Sequence, residues 1–422
     1  MTFPRKSDIQ LSGTVEPGFE EIRRLFGESL RTQAEINAQL CIYVGEQCVV
    51  DLYGSATGDD GYSDETIVNV FSSGKSLEAI AFASQVSDGR LDYQGRICDY
   101  WPEFTGDGKE AISIADLMRH EAGLSALNQS IDPRDLWREN IKTNRVGEIL
   151  AGHPLRFRSD TPREYHAITR GWIANEVFRR VDPAGRTIGE FLRDDLCPGL
   201  SADVFVGLED HQLDRRSPVV PLGFGTHLLQ SLLPRRLGRK VKHNLFELGA
   251  NLLPMLKGFR QSSTRGSPVA FAGMDGIGFF NEPVVAKGET PSANTHATAS
   301  GLAKIAGMMA CGGVWQGKRY LSEAAWSQMH AEPVYRPMGM EVTFCQGGVA
   351  QFGGLEPGAG RMARALNVGR EGFYGWMGLG GSIFQWHPEK QIGFSFVPTA
   401  LHVLDFVNER GKAFQAEALR LV

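Results

Sequence analysis

The order in which hydrophobic periodicity changes along the chain constrains its architecture more than any other feature. Near the start, Leu40-Cys41-Ile42-Tyr43-Val44, a Gly45 turn and Cys48-Val49-Val50-Asp51-Leu52-Tyr53 read as a hairpin of two β-rich runs. From Ser72 the pattern becomes helical, with Leu77, Ile80, Ala81 and Ala83 forming an apolar face that runs up to Gly89. Further helices are expected over 111–120, where Gly123 suits the closing turn, and over 169–180. Another is expected over 187–195, stopped by Pro198-Gly199, and one from 299 to 309 before the Gly312-Gly313 turn. Strand character returns at Gly381–Trp386 and Gln391–Val397. Strands, then helices, then strands predict an α+β protein: an antiparallel β-sheet flanked by helices, with a mainly helical inserted subdomain.

A chain of 422 residues with 42% apolar side chains can bury a large core. Its 44 basic and 49 acidic residues give a net charge of -5, which argues against a nucleic-acid partner. The start, Met-Thr-Phe-Pro-Arg-Lys-Ser, has no apolar stretch after its basic pair. The uncharged run 217–234 is too short, and too broken by Pro218, Pro221 and Pro234, to be a transmembrane segment. The expected location is cytoplasmic. The six cysteines, at 41, 48, 98, 197, 311 and 345, form no Cys-x-x-Cys pair and read as free, mostly buried thiols.

One segment stands apart. Leu228–Phe259 sets Arg235, Arg236, Arg239, Lys240, Lys242 and Lys257 against a single acid, Glu247, with leucines between them. The plain reading of this basic amphipathic insertion is a helical excursion with leucines facing the core and cations facing water. A lid over a pocket and a peripheral membrane contact are the alternatives.

Several chemical signatures are missing. No Gly-x-Ser-x-Gly elbow exists, and Leu124 stands where a zinc-binding helix starting at His120-Glu121 would need its second histidine. Gly312–Lys318 mimics a phosphate loop, but Arg319 replaces the hydroxyl that would hold magnesium. No metal-ligand cluster stands out, so no metal and no cofactor are expected. What remains is Phe71-Ser72-Ser73-Gly74-Lys75, the sole Ser-x-x-Lys of the chain. On a helix that spacing puts both side chains on one face, where an amine can take a hydroxyl proton or hold a neighbouring base. Taken alone, the four residues read as a serine cap beside an exposed lysine.

Their surroundings change the reading. Thr66 through Lys75, Thr-Ile-Val-Asn-Val-Phe-Ser-Ser-Gly-Lys, resembles the nucleophile region of the serine β-lactamase and penicillin-binding-protein superfamily. Asp116-Leu-Met-Arg-His120-Glu-Ala-Gly-Leu124 is similar to a segment of its class C-like branch. Pro162–Gly171 resembles the second catalytic block, with Tyr165 at its head. Pro291–Ala299 resembles a segment of the esterase-like members, and Tyr374–Ser382 stands where the third block is expected. The blocks occur in the family's order. The resemblance implies a β-lactamase/transpeptidase-like fold: one catalytic domain over 1–422, with an α/β subdomain at approximately 18–88 and 290–422 and a helical one at approximately 89–289.

By the same resemblance, Ser72 is the nucleophile, and Lys75 and Tyr165 share its proton, with either as the resting base. The backbone N–H groups of Ser72 and Leu379 form the oxyanion hole, while His166, Trp376, Gly378 and Gly380 line the pocket. His120 and His296 are read as structural. Two departures matter. Ala167 has lost the amide usual in the second block, and Trp376 replaces the Lys or His of the third. Both losses disfavour β-lactam hydrolysis and point to an esterase on small-molecule esters. The alternatives are a catalytically weak relative with a binding or assembly role, and a D-amino-acid peptidase or weak β-lactamase.

Overall fold

The computed structural model describes residues 9–338, 340–355 and 357–422, except for the side chains at 254, 255, 257 and 259. The N-terminal heptapeptide and the Lys257 and Phe259 side chains lie outside the described residues. Three strands come early: β1 (Gln10–Val15), β2 (Asn37–Val44) and β3 (Gln47–Ser55). Six come late: β4 (Val334–Pro337), β5 (Glu341–Phe344), β6 (Ala350–Gln351), β7 (Tyr374–Met377), β8 (Ile383–His387) and β9 (Ile392–Pro398). They form one nine-stranded sheet in the order β1-β3-β2-β9-β8-β7-β6-β5-β4, with every neighbouring pair antiparallel. The expected antiparallel sheet flanked by helices is what the chain builds.

Alternation along β2 sends Leu40 and Ile42 to one face and Cys41 and Tyr43 to the other, and all four are buried. Both faces of the sheet are therefore covered, which is why β9 is buried throughout and, but for Ser395, carries no polar side chain. Helices α1 (Glu20–Thr32) and the C-terminal Glu409–Leu421 cover the first face, where Phe26 and Phe396 pack on Phe414. On the second face lie α2 (Lys75–Ser87), α3 (Thr169–Val181) and the helix Ala299–Ala310. The last of these comes so close that a Cβ at Gly393 would stand 2.3 Å from Gly307 N. A small three-stranded sheet of Val68–Asn69, Thr295–Ala297 and Val204–Val206 ties the nucleophile segment to the 291–299 block.

Several expectations change. The helix expected over 111–120 is only Ile114–Met118. Ser113 Oγ accepts the Asp116 N–H, and the Asp116 carboxylate accepts the Ser113 N–H, so a capping box fixes the start. His120, at φ 67°, takes the chain out of helical conformation. The helix expected to stop before Pro198 runs from Ile188 to Leu200, because a π turn over Leu192–Leu196 shifts the hydrogen-bond ladder ahead of the proline. All six cysteines are free, but only Cys41, Cys197 and Cys345 are fully buried. The basic insertion holds two helices, α4 (Phe224–Leu232) and α5 (Leu245–Gln261), and its leucines do not face the core as expected: Leu229, Leu232, Leu237, Leu253 and Leu256 are exposed. No described helix is long and apolar enough to cross a membrane.

Burial holds several histidines neutral. It lowers His166 and His330 to about 4 and His296 to about 3, and pushes His120 and His402 well below the usual range. Unfolding lets each take a proton below about 6.5, so the unfolded chain binds more protons and stability falls as pH drops from there towards 4. Each such group adds up to about 1.4 kcal/mol per pH unit in that window. Urea midpoints measured at pH 7.5, 6 and 5 should decline steeply; a flat series would contradict neutral burial.

Candidate active site

Asn69 and Phe71 set the nucleophile turn. Phe71 sits at φ 47°, a left-handed conformation costly for an aromatic residue. Its N–H is taken by Asn69 Oδ1 at 2.8 Å, and its ring packs edge-on against Phe280 at 5.0 Å. Asn69 contacts Asn294, whose amide donates to the Val285 and Gly288 carbonyls. The esterase-like segment 291–299 is thus the frame of this turn. Gly74 allows the approach, because a Cβ there would stand 2.4 Å from Pro291 O. A 3-10 turn over Phe71–Gly74 feeds α2, and Lys75 starts that helix one turn beyond Ser72.

The structure brings Ser72, Lys75 and Tyr165 together. Lys75 Nζ lies 3.3 Å from Ser72 Oγ, 2.7 Å from Ala167 O and 2.9 Å from Ser292 O. It also lies 4.8 Å from the centre of the Tyr165 ring. The lysine is buried, and loss of hydration drives its pKa well below the usual amine range, against an opposing pull from Glu78. Burial likewise pushes the Tyr165 phenol up to about 12, although hydrogen bonds with Ser72 and Trp376 oppose the rise. Trp376 Nε1 donates to Tyr165 Oη at 2.9 Å. These directions favour a neutral amine beside a protonated phenol, rather than a phenolate stabilised by an ammonium.

A cavity of about 300 Å³ opens over these groups. Ser72, Tyr165, Trp376, Gly378, Leu379 and Gly380 line it, together with Met338, Met340, Val403 and Phe406. At Gly378 a Cβ would stand 2.2 Å from Val70 O, so glycine lets the turn after β7 run against the nucleophile turn. Ser382 fastens that contact by donating to Val70 O at 2.7 Å and pairing with Ser73 Oγ at 2.9 Å. His166 does not line the cavity. It is fully buried, with Nδ1 bonded to Glu164 O and Nε2 accepting the Leu124 N–H. The His120 ring lies against the Tyr165 ring at 4.8 Å, tilted by 46°, and its Nδ1 accepts the His166 N–H.

Sequence reasoning missed a buried pair beneath the site. Arg170 Nε donates to Glu78 at 2.8 Å, with both side chains fully buried. The same guanidinium holds Lys75 O, Met118 O and Gly348 O, while Ser292 Oγ donates to Glu78. Asp405 on the cavity wall was also missed. Burial would raise its carboxyl, but His243, the Glu409 N–H and the Arg410 guanidinium together outweigh that and hold it low and ionised. Among the described residues, one group could hold a metal: Cys41, Cys48 and Asp51, on the first hairpin and outside this cavity.

A nine-stranded antiparallel sheet between helices, with Ser72 and Lys75 at the mouth of a helix, defines a serine hydrolase of the β-lactamase fold. The chain belongs to the beta-lactamase family, whose profile matches residues 22–417. It is 26% identical over 400 residues to the esterase/beta-lactamase LipL of Mycobacterium tuberculosis (strain ATCC 25618 / H37Rv), covering 92% of this chain and 83% of that protein. Among solved structures, a family VIII carboxylesterase superposes with a TM-score of 0.76 at 22% identity, over 98% of this chain and 100% of that one. A penicillin-binding-protein homologue from Caulobacter crescentus gives a TM-score of 0.73 at 24% identity, over 98% of this chain and 100% of that one.

Proposed function

We propose that this protein is a carboxylesterase that cleaves small esters through an acyl-enzyme on Ser72. The observation that carries the reading is the desolvated Lys75 amine beside Ser72 Oγ, with the Ala167 and Ser292 carbonyls as its other neighbours. A neutral amine has two N–H groups and one lone pair. The two carbonyls take the N–H groups, leaving the lone pair for the serine proton. Ser72 Oγ attacks the ester carbonyl as its proton passes to Lys75, and the backbone N–H groups of Ser72 and Leu379 hold the oxyanion. The proton then goes to the departing alkoxide, with the Tyr165 phenol as relay. Water enters, gives a proton to the same amine, and attacks the acyl group, releasing the acid and restoring Ser72.

The cavity wall favours this chemistry over β-lactam hydrolysis. Met338, Met340, Val403 and Phe406 suit an apolar acyl or alcohol group. A lactam carboxylate would meet the Asp405 carboxylate on the cavity wall, and Trp376, which stands where the family's third block offers a cation, spends its indole N–H on Tyr165. The likeness to a protein named esterase/beta-lactamase and to a family VIII carboxylesterase supports the same choice. The six free thiols fit a cytoplasmic location.

The pH dependence of kcat/KM on ethyl butyrate, an alkyl ester whose departing alkoxide must take a proton, tests the assignment. Activity requires neutral Lys75, so it persists above the lowered lysine pKa and is lost as pH falls through it. Tyr165→Phe should reduce kcat by about 10²- to 10⁴-fold while keeping that acid limb. An acid limb that disappears with the phenol would make the tyrosine the base. Nitrocefin turnover faster than ester turnover would reject the esterase.

A further inference from the structure

The insertion 224–261 is built with its apolar side outward. On α5, Phe246, Leu253 and Leu256 fall at spacings of seven and three, which is one helical face, and their exposures are 89%, 68% and 58%. The opposite face is anchored by Leu248, Asn251 and Gly258, which are buried. Helix α4 repeats the arrangement, with Phe224, Leu229 and Leu232 exposed over buried His227 and Ser231. Between the helices, Leu237 is 70% exposed and Arg235 and Arg236 stand in solvent beside it. The sequence of these 38 residues holds seven Lys and Arg and one acid, Glu247, in a chain whose net charge is -5. Glu247 is occupied in capping the Asn244 N–H.

An outward apolar stripe bordered by cations matches an anionic lipid surface, where rings and leucines enter the acyl boundary and guanidinium groups meet phosphates. The segment is also held firmly enough to present that face. Val241 packs on Ala34 and Leu222, Ala34 N–H donates to Lys240 O, and His243 pairs with Asp405 at 3.4 Å. A groove between α5 and the turn joining β4 to β5 meets the active-site cavity at Met340. We propose that the α4–α5 face is a membrane-docking surface that seats the protein on an anionic phospholipid bilayer. The docking itself does not depend on the esterase reading.

Sedimentation with vesicles of phosphatidylglycerol and phosphatidylcholine tests this. The full-length protein should pellet with vesicles rich in phosphatidylglycerol at least tenfold more tightly than with phosphatidylcholine alone, and 1 M salt should weaken the binding. Phe246→Ser with Leu253→Ser should weaken it at least tenfold, and Arg235→Glu with Arg236→Glu should remove the preference for anionic lipid. Both variants should hydrolyse a water-soluble ester at the parent rate, which reports folding separately from docking; if the parent shows no esterase activity, their unfolding midpoints serve instead. Vesicle binding equal in parent and variants, or no binding at any composition, would overturn the proposal. So would a concentration-dependent dimer, seen by sedimentation velocity, that the Ser variants dissolve, since the face would then cover a second copy of the chain.

Discussion

Ester turnover in Ser72→Ala should fall by about 10⁴- to 10⁶-fold, the range typical of a lost covalent nucleophile. Labelling by a fluorophosphonate should vanish altogether. Ser72 is only half-buried, and its neighbours are held by backbone contacts at Val70, Gly74 and Gly378, so the substitution should leave the fold and its unfolding midpoint unchanged. Lys75→Ala should cost a similar factor, and the double variant little more, because the two residues act in one proton transfer. Ester turnover in Ser72→Ala near the parent rate, measured on freshly purified protein, would remove the acyl-enzyme from consideration.

Arg170→Met should destabilise the protein by about 3–5 kcal/mol, the usual cost of leaving a buried charge without its partner. Glu78 would keep only Ser292 as a near donor, and the carbonyls of Lys75, Met118 and Gly348 would lose the guanidinium. Adding Glu78→Gln should recover part of the loss, because the second change removes the stranded carboxylate. Urea unfolding of the two variants measures the difference; a single variant within 1 kcal/mol of the parent would mean that the pair does not hold this region. Activity should fall as well. Ser292 links Glu78 to the lysine, offering its hydroxyl to one and its carbonyl to the other.

Local patterns carried the sequence reading furthest. The first hairpin, helix α3 and the helix after Ala299 follow runs long enough to show their period, and the structure places them within a few residues of expectation. Strands β4–β7 hold two to four residues each, and their pairing comes from neighbours rather than from their own composition. Strand β1, Gln-Leu-Ser-Gly-Thr-Val, is a half-exposed edge with almost no hydrophobic alternation. At the candidate site, Ser72, Lys75, Tyr165 and Trp376 were legible because each lies in a recognisable short block. Arg170 and Glu78 are 92 positions apart and carry no shared signal, although an acid one turn after Lys75 was a hint. His166 was misplaced because only the fold reveals that its ring nitrogens are committed to Glu164 and Leu124. The insertion was misread for a different reason. An amphipathic period says that a helix has two faces, not which of them meets protein.

Strand β2 joins β3 early in the chain but finds its other partner in β9. During synthesis its free edge must wait for roughly 350 further residues, which at about 5–20 residues per second amounts to tens of seconds on the ribosome. For that interval a strand of eight residues, seven of them buried in the finished protein, has no neighbour on one side. Crowded nascent chains carrying that edge can pair with each other, so slower expression at lower temperature should raise the yield of native protein.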